Sequence, residues 1–112
     1  MQADDAVRVQ HMIDAIAEAM EFVGALSRGD LESDKMLQYA LVPAVEAIAE
    51  AAGKVSAEGH AKLPLLPWAA IIGMRNRLVH AYFDVDLDIL WVTATKALPE
   101  LRVQLPSAKL SV

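Results

Sequence analysis

The chain of 112 residues contains no cysteine, and its five glycines are scattered. Disulfides, thiolate metal sites and thiol nucleophiles are therefore excluded, and a reducing compartment is permitted. No glycine-rich loop that could bind phosphate is present. The chain also lacks a basic start followed by an apolar run and a cleavage site. With 55% hydrophobic and 22% charged residues, we expect a single folded domain over residues 1–112.

Long apolar runs and an excess of basic charge are both missing. Charged residues interrupt every long apolar stretch, namely Asp14, Glu18, Glu21, Glu46, Glu50 and Arg75. We therefore expect a soluble, cytoplasmic protein with no membrane segment. The net charge of -5 argues against broad nonspecific binding of nucleic acid, and no DNA partner is expected. Any contact with RNA must be local, or made by an assembly.

Two long segments carry apolar side chains at helical spacing. The first is expected to run to about Ser27, and the second to begin at Ser33 or Asp34. The second segment has a bundle seam made of Leu37, Leu41, Ala44, Ile48, Ala51 and Val55. Pro43 lies inside this segment and is expected to kink the helix, because proline removes one hydrogen bond.

The stretch from Pro67 to Tyr82 is predicted to form a single helix of about four turns, because proline suits the first helical position. Arg75 lies among apolar residues of this helix, so its guanidinium requires a partner. A neighbouring face carries small or polar side chains, at Ala69, Gly73, Asn76 and His80. Either Glu46 or Glu50, with Glu50 preferred, is the candidate partner of Arg75 or Arg77 across the bundle. The alternative is that both glutamates belong to a solvated face.

The remaining segments complete a helical fold. Residues 56–66 are predicted to form a loop, and Asp86 or Asp88 is predicted to cap a fourth helix that Pro99 ends. A short helical turn and a frayed tail follow. No stretch alternates with period two for long enough to form a strand. We therefore predict an all-α, antiparallel up-down four-helix bundle with a short C-terminal helical turn.

Metal and serine chemistry have little support in this sequence. His11, His60 and His80 share no ligand spacing, so no metal site and no cofactor are predicted. His11 and His60 are expected to be surface residues. The serines have no plausible triad, which leaves the arginines of the central stretch, together with Asn76 and His80, as the candidate reactive groups.

Arginine and histidine are the groups needed for cleavage of RNA without a metal. An imidazole can take the proton from a 2′-hydroxyl or give one to the leaving oxygen, and a guanidinium can neutralise charge on the phosphate oxygens. On an ideal helix His80 lies about 60° from Arg77 and about 140° from Arg75. Spacing alone therefore favours Arg77. Arg75 becomes the better candidate if the helix loosens at His80, or if a second subunit contributes its own motif.

Several runs of the sequence together suggest a known family, namely Pro67–Trp68, Ile71–Gly73, Arg75–Tyr82, Val85–Asp86, Leu90–Trp91, Leu37–Ala40 and Glu46–Ala51. In these runs the sequence resembles the HepT-like branch of the HEPN domains. The signature of that family is an arginine, a polar residue, three further positions, a histidine, one residue and a tyrosine. Arg75, Asn76, His80 and Tyr82 fill this pattern. Outside this signature, Ala49 departs from the family, which commonly has glycine at that position.

The resemblance implies a homodimeric HEPN bundle that acts as a metal-independent endoribonuclease toxin of the HepT/MntA type. Arg75, Asn76 and His80 would be catalytic, with the two motifs of the dimer facing a shared cleft, and Glu50 and Arg77 would support them. The implied partner is a minimal nucleotidyltransferase antitoxin that transfers AMP to Tyr82. The alternative is a catalytically inactive module that docks such a transferase or binds a nucleotide.

Overall fold

The computed structural model describes residues 2–81 and 84–109, and of residues 80, 81 and 106–109 it describes the backbone alone. The helices are α1 (Ala3–Val23), α2 (Arg28–Ser33), α3 (Lys35–Lys54), α4 (Ala57–Lys62), α5 (Trp68–Ile72), α6 (Met74–Leu78), α7 (Leu87–Val92) and α8 (Leu98–Lys109). A π-helical turn, Thr93–Ala97, joins α7 to α8. Two short strands, β1 (Val79–Ala81) and β2 (Asp84–Val85), pair antiparallel. Within the described ranges no helix combines the length and apolarity needed to span a membrane.

Helices α1 and α3 form the centre of the bundle and pack along each other. The predicted seam of α3 is buried at every position, and α1 buries its own stripe of Val9, Met12, Ile16 and Val23 against it. The other side of α1 packs on α8, while α5 and α6 pack on α3. Burial of these stripes supplies the main favourable term in folding. The predicted all-α fold is confirmed.

The connection between α1 and α3 is more structured than predicted. Helix α1 ends at Val23 rather than Ser27, because Gly24 takes a φ of +51°, which favours glycine. Ser27 and Asp30 then form a reciprocal capping box that begins α2. Asp34 caps α3, because its side chain accepts a hydrogen bond from the backbone N–H of Leu37. Asp34 was one of the two predicted starts of this helix. Helix α3 continues through Pro43.

The prediction that Pro99 ends the fourth helix is wrong. The helix continues from the π-helical turn through Pro99 to Lys109, so it is far longer than the single C-terminal turn expected. In the turn, the N–H of Leu98 donates to the carbonyl of Thr93, five residues back. In a regular α-helix, the ring of Pro99 would clash with the carbonyl four residues earlier. The wider π-helical turn directly precedes this proline.

The segment after α3 contains helix α4 where a loop was predicted. Its cap is Ser56, whose own N–H and Oγ donate to the carboxylate of Asp5 at 2.8 and 2.6 Å. Asp5 is 2% exposed, and these two hydrogen bonds hold the pKa of its carboxyl below the usual value. The start of α1 is thereby tied to the start of α4. Gly59 packs against this link.

Replacing Gly59 with alanine is expected to destabilise the fold by about 1–3 kcal/mol. A Cβ at this position would lie 2.6 Å from Val55 Cγ1 and 2.7 Å from Asp5 Oδ2, so neighbouring groups must move. Gly53→Ala is the matched control, because nothing lies within 4 Å of a Cβ there. Gly53 lies in the last turn of α3, where alanine also favours helix, so the control should be neutral or stabilising. Urea unfolding of both variants measures the difference; equal midpoints would contradict the close packing at Gly59.

Candidate functional site

The start of α5 is fixed by an aromatic contact that the sequence did not predict. Trp68 donates from Nε1 to the carbonyl of Leu63 at 3.0 Å, and its ring stacks on His60 with centroids 4.2 Å apart. His60 Nε2 lies 3.0 Å from the carbonyl oxygen of Ala52. His60 is therefore half-buried between α3 and α5 and is not the surface residue expected. These contacts connect the entrance of the central segment to the bundle core.

The central segment is not one continuous helix, so the prediction of a single helix over Pro67 to Tyr82 is wrong. Helix α5 ends before Gly73, α6 follows, and Val79 is already extended with φ -111° and ψ 105°. The backbone N–H of Asp86 donates to the carbonyl of Leu78 at 2.7 Å. Val79 pairs with Val85 in the two-stranded sheet. Pairing with a segment farther along the chain therefore ends the helix.

Arg75 and Asn76 lie exposed on α6, which is a helix of five residues. The Arg75 Nε is 3.5 Å from Oε2 of Glu46 on α3, and the two side chains are 49% and 41% exposed. Of the two candidate partners, Glu46 therefore contacts Arg75, and the preference for Glu50 is wrong. Glu50 instead lies 3.0 Å from Lys54 on its own helix. Glu46 is one turn nearer the start of α3, which is the turn that faces α6.

Arg77 lies on a different side of α6 from Arg75, because residues two positions apart are separated by about 200° around a helix. It lines a groove of about 170 Å³ between α5, α6 and α8, with Glu100 on the opposite wall. Arg75 faces α3 instead. The two arginines therefore serve different surfaces, and Arg75 shares its surface with Glu46.

His80 belongs to β1, and Tyr82 lies outside the described residues. Because α6 ends at Leu78, the helical angles that favoured Arg77 over Arg75 do not apply. The chain thus places Arg75 and Asn76 on a helical turn and His80 in the extended segment that directly follows it. This is the loosening of the helix at His80 under which Arg75 becomes the better candidate.

The accessible groups of this surface suit binding to an anion. Arg75 can donate hydrogen bonds to phosphate oxygens, since its contact with Glu46 is long and both partners are open to solvent. Asn76 adds an exposed amide with both donor and acceptor atoms. In the part of the chain that the structure describes, no three His, Asp or Glu side chains are grouped to hold a metal ion.

The model of the family described as "Ribonuclease HepT-like" matches residues 12–108, which include every element around Arg75 and His80. The chain belongs to the HepT-like ribonuclease family. A relative named "Probable ribonuclease HepT", from Thermococcus cleftensis, is 35% identical to it over 80% of this chain and 86% of the relative. A "Putative RNase" from Caldanaerobacter subterraneus subsp. tengcongensis is 35% identical over 86% of each chain. No solved structure matches at a significant level.

Glu46 was one of the two candidate partners of Arg75, but sequence reasoning preferred Glu50. Glu46 and Glu50 are one turn apart on α3, and each has a small neighbour in the sequence. Their local sequence therefore does not decide between them. The choice depends on how far α6 is displaced along α3, which is a tertiary property. Only the contact of Arg75 identifies the right turn.

Proposed function

We propose that this HepT-like chain is a metal-independent endoribonuclease toxin with Arg75, Asn76 and His80 as its catalytic residues. The observation that carries the proposal is the end of α6 at Leu78, which leaves Arg75 exposed on a helical turn and His80 on the strand after it. Membership of the HepT-like ribonuclease family supports RNA as the substrate. No cofactor enters the proposed reaction.

The proposed reaction uses the 2′-hydroxyl of the RNA as the nucleophile. His80 accepts the proton of that hydroxyl, and the 2′-oxygen then forms a bond to phosphorus while the bond to the 5′-oxygen breaks. Arg75 donates to the phosphate oxygens as negative charge develops on them. The leaving 5′-oxygen receives a proton from water, so the products are a 2′,3′-cyclic phosphate and a free 5′-hydroxyl. Asn76 orients the phosphate.

A homodimer would supply a second copy of this motif. The outer side of α5 and α6 carries exposed Ala69 and Asn76 and half-buried Gly73, with Ile72 41% exposed beside them. Small side chains allow the same face of a symmetry mate to approach closely, as an isologous interface requires. Sedimentation at tens of micromolar protein tests this part; a monomer would contradict the shared cleft.

The activity itself is tested by incubating purified chain with RNA in the presence of excess EDTA. Cleavage that persists, and that yields 2′,3′-cyclic phosphate ends in mass spectrometry, is the expected result. Cleavage that requires added Mg²⁺ or Mn²⁺ would contradict the metal-independent reaction. Absence of cleavage under every condition would contradict the enzymatic function.

Tyr82 is the proposed site of regulation, through transfer of AMP by a minimal nucleotidyltransferase antitoxin. AMP adds bulk and negative charge, so its attachment two residues beyond His80 would repel an entering RNA phosphate. The tyrosine hydroxyl is the only group of the side chain that can form the phosphodiester bond to AMP.

Tyr82→Phe is expected to remain toxic and to resist neutralisation by the transferase. After co-expression with a minimal nucleotidyltransferase, intact-mass spectrometry should show added AMP on the wild-type chain and none on Tyr82→Phe. The matched control is Tyr39→Phe, which removes the other tyrosine hydroxyl and should still gain AMP. AMP on the Tyr82→Phe chain would exclude Tyr82 as the acceptor.

The acidic net charge of -5 favours a second function, that of an inactive module that docks a nucleotidyltransferase or binds a nucleotide. Such a module would bind the transferase without cutting RNA. Co-purification of a transferase with a chain that is neither toxic nor nucleolytic supports this alternative, and toxicity that depends on His80 contradicts it.

A further inference from the structure

A cleft of about 710 Å³ opens beside the strand pair, between the first turns of α3 and the segment that begins with β2. Its volume lies within the range of roughly 300–1,000 Å³ that is usual for small-ligand sites. Val42, Val85 and Leu87 provide apolar lining, Lys35 and Tyr39 line the side formed by α3, and Asp84 lines the side formed by β2. The cleft therefore combines apolar lining, an aromatic ring and charges of both signs.

Tyr39 is unusually open for a large aromatic residue, with 70% of its surface exposed. Lys35 is also exposed, precedes Tyr39 by one helical turn, and has no ion-pair partner among the described residues. An exposed ring beside an unpaired cation, on the same side of a helix, matches the two parts of a nucleotide. The ring suits a base, and the ammonium group suits a phosphate.

The cleft is connected to the proposed catalytic residues by two elements. Val85 lines it and is the register partner of Val79, which directly precedes His80. On α3, Tyr39 and Glu46 are seven residues apart, about 10 Å along the axis and close to the same face. Glu46 contacts Arg75. A strand of RNA that lies along this face of α3 can therefore contact Tyr39 and Arg75 together.

We infer that this cleft is a subsite for a base of single-stranded RNA, in which the base stacks on Tyr39 and Lys35 contacts the phosphate next to it. The inference rests on the proposed function and names a substrate contact for it. Asp84 accepts hydrogen bonds from N–H groups of the base and repels phosphate, so the phosphate lies at the Lys35 end. Recognition of unstacked bases by aromatic rings predicts a preference for single strands over duplexes.

The test measures binding separately from cleavage. Fluorescein-labelled single-stranded oligonucleotides with 2′-O-methyl groups lack the attacking hydroxyl, so their Kd can be measured by anisotropy on the intact, active chain. Tyr39→Ala should weaken binding by about 5-fold to 150-fold, the usual effect of removing one stacking ring. Tyr39→Phe should bind within about twofold of wild type, because the ring is retained. Val103→Ala, at an exposed apolar position on α8, is the control and should not change the Kd.

Salt dependence tests the phosphate contact. Lys35→Gln should lower the slope of log Kd against log salt by about 0.7, the value for one phosphate contact to a single strand. Lys96→Gln removes an exposed charge from the π-helical turn and should leave the slope unchanged. Equal slopes for wild type and Lys35→Gln would overturn the assignment of the phosphate to Lys35.

Three outcomes would overturn the subsite. In the first, the wild-type chain binds no single-stranded oligonucleotide, and in the second, Tyr39→Ala leaves the Kd unchanged. In the third, sedimentation shows that the wild type is a dimer and Tyr39→Ala is not, which would make this surface a subunit contact. A failed catalytic proposal looks different: the oligonucleotides still bind through Tyr39, but unmodified RNA is not cut. Circular dichroism should show native helix content in each variant, since Tyr39 is exposed and alanine favours helix.

Discussion

Replacement of His80 with alanine should lower the rate of RNA cleavage by about 10²-fold to 10⁴-fold, the usual cost of losing a general acid or base. His80 lies in β1, outside the helices that form the core, so the variant should fold and assemble as the wild type does. Single-turnover cleavage of a labelled RNA measures the rate. Growth inhibition on expression should fall in parallel.

His11→Ala is the matched control, because His11 is an exposed histidine on α1. This variant loses the same side chain at a site away from Arg75 and should cleave RNA at the wild-type rate. If His80→Ala cuts as fast as His11→Ala, the imidazole of His80 takes no part in proton transfer. The catalytic proposal would then fail even if the protein proves to be a ribonuclease.

Arg75→Ala should lower the cleavage rate by about 10²-fold to 10³-fold, the usual loss when one donor to a developing negative charge is removed. Its effect on the free energy of unfolding should be small, no more than about 1 kcal/mol, because the contact with Glu46 is an exposed surface ion pair. A buried pair with Glu50 would instead have implied a large loss of stability. Thermal unfolding and single-turnover cleavage separate the two quantities.

Arg77→Ala is the control for Arg75→Ala, since it removes the same charge from the same helix on a different side. Its cleavage rate should fall much less. Glu46→Gln adds a test of the pairing, because it releases Arg75 from its charged neighbour without changing the size of the side chain. A cleavage defect larger for Arg77→Ala than for Arg75→Ala would reverse the roles given to the two arginines.

Local sequence was sufficient to predict α1 and α3, the two helices at the centre of the bundle, apart from the end of α1. The seam of α3 follows from the spacing of its apolar residues. Asp34 and Asp86 were each one of two candidate caps, and each accepts a hydrogen bond from the backbone N–H three residues further on. These features depend on residues within one or two turns of each other. The all-α fold could be predicted for the same reason.

The parts that sequence did not predict depend on distant contacts. Val79 continues the apolar stripe of α6, and no glycine or proline marks the end of the helix; the pairing with Val85 ends it. Pro99 was taken as a stop because the wider turn that precedes it has no local signal. Glu50 was preferred over Glu46 as the partner of Arg75 because the offset between two packed helices cannot be read from the sequence of either one.

If Arg75 and His80 act together as proposed, the junction between α6 and β1 fixes the number of residues that must separate them. In a helix one added residue turns all that follows by about 100°, whereas in a strand it moves each following side chain to the opposite face. An insertion between Val79 and His80 would leave Arg75 beside Glu46 but reverse the face of the strand to which His80 belongs. Most surface connections tolerate insertions and deletions. The proposed reaction predicts that the connection between α6 and β1 does not.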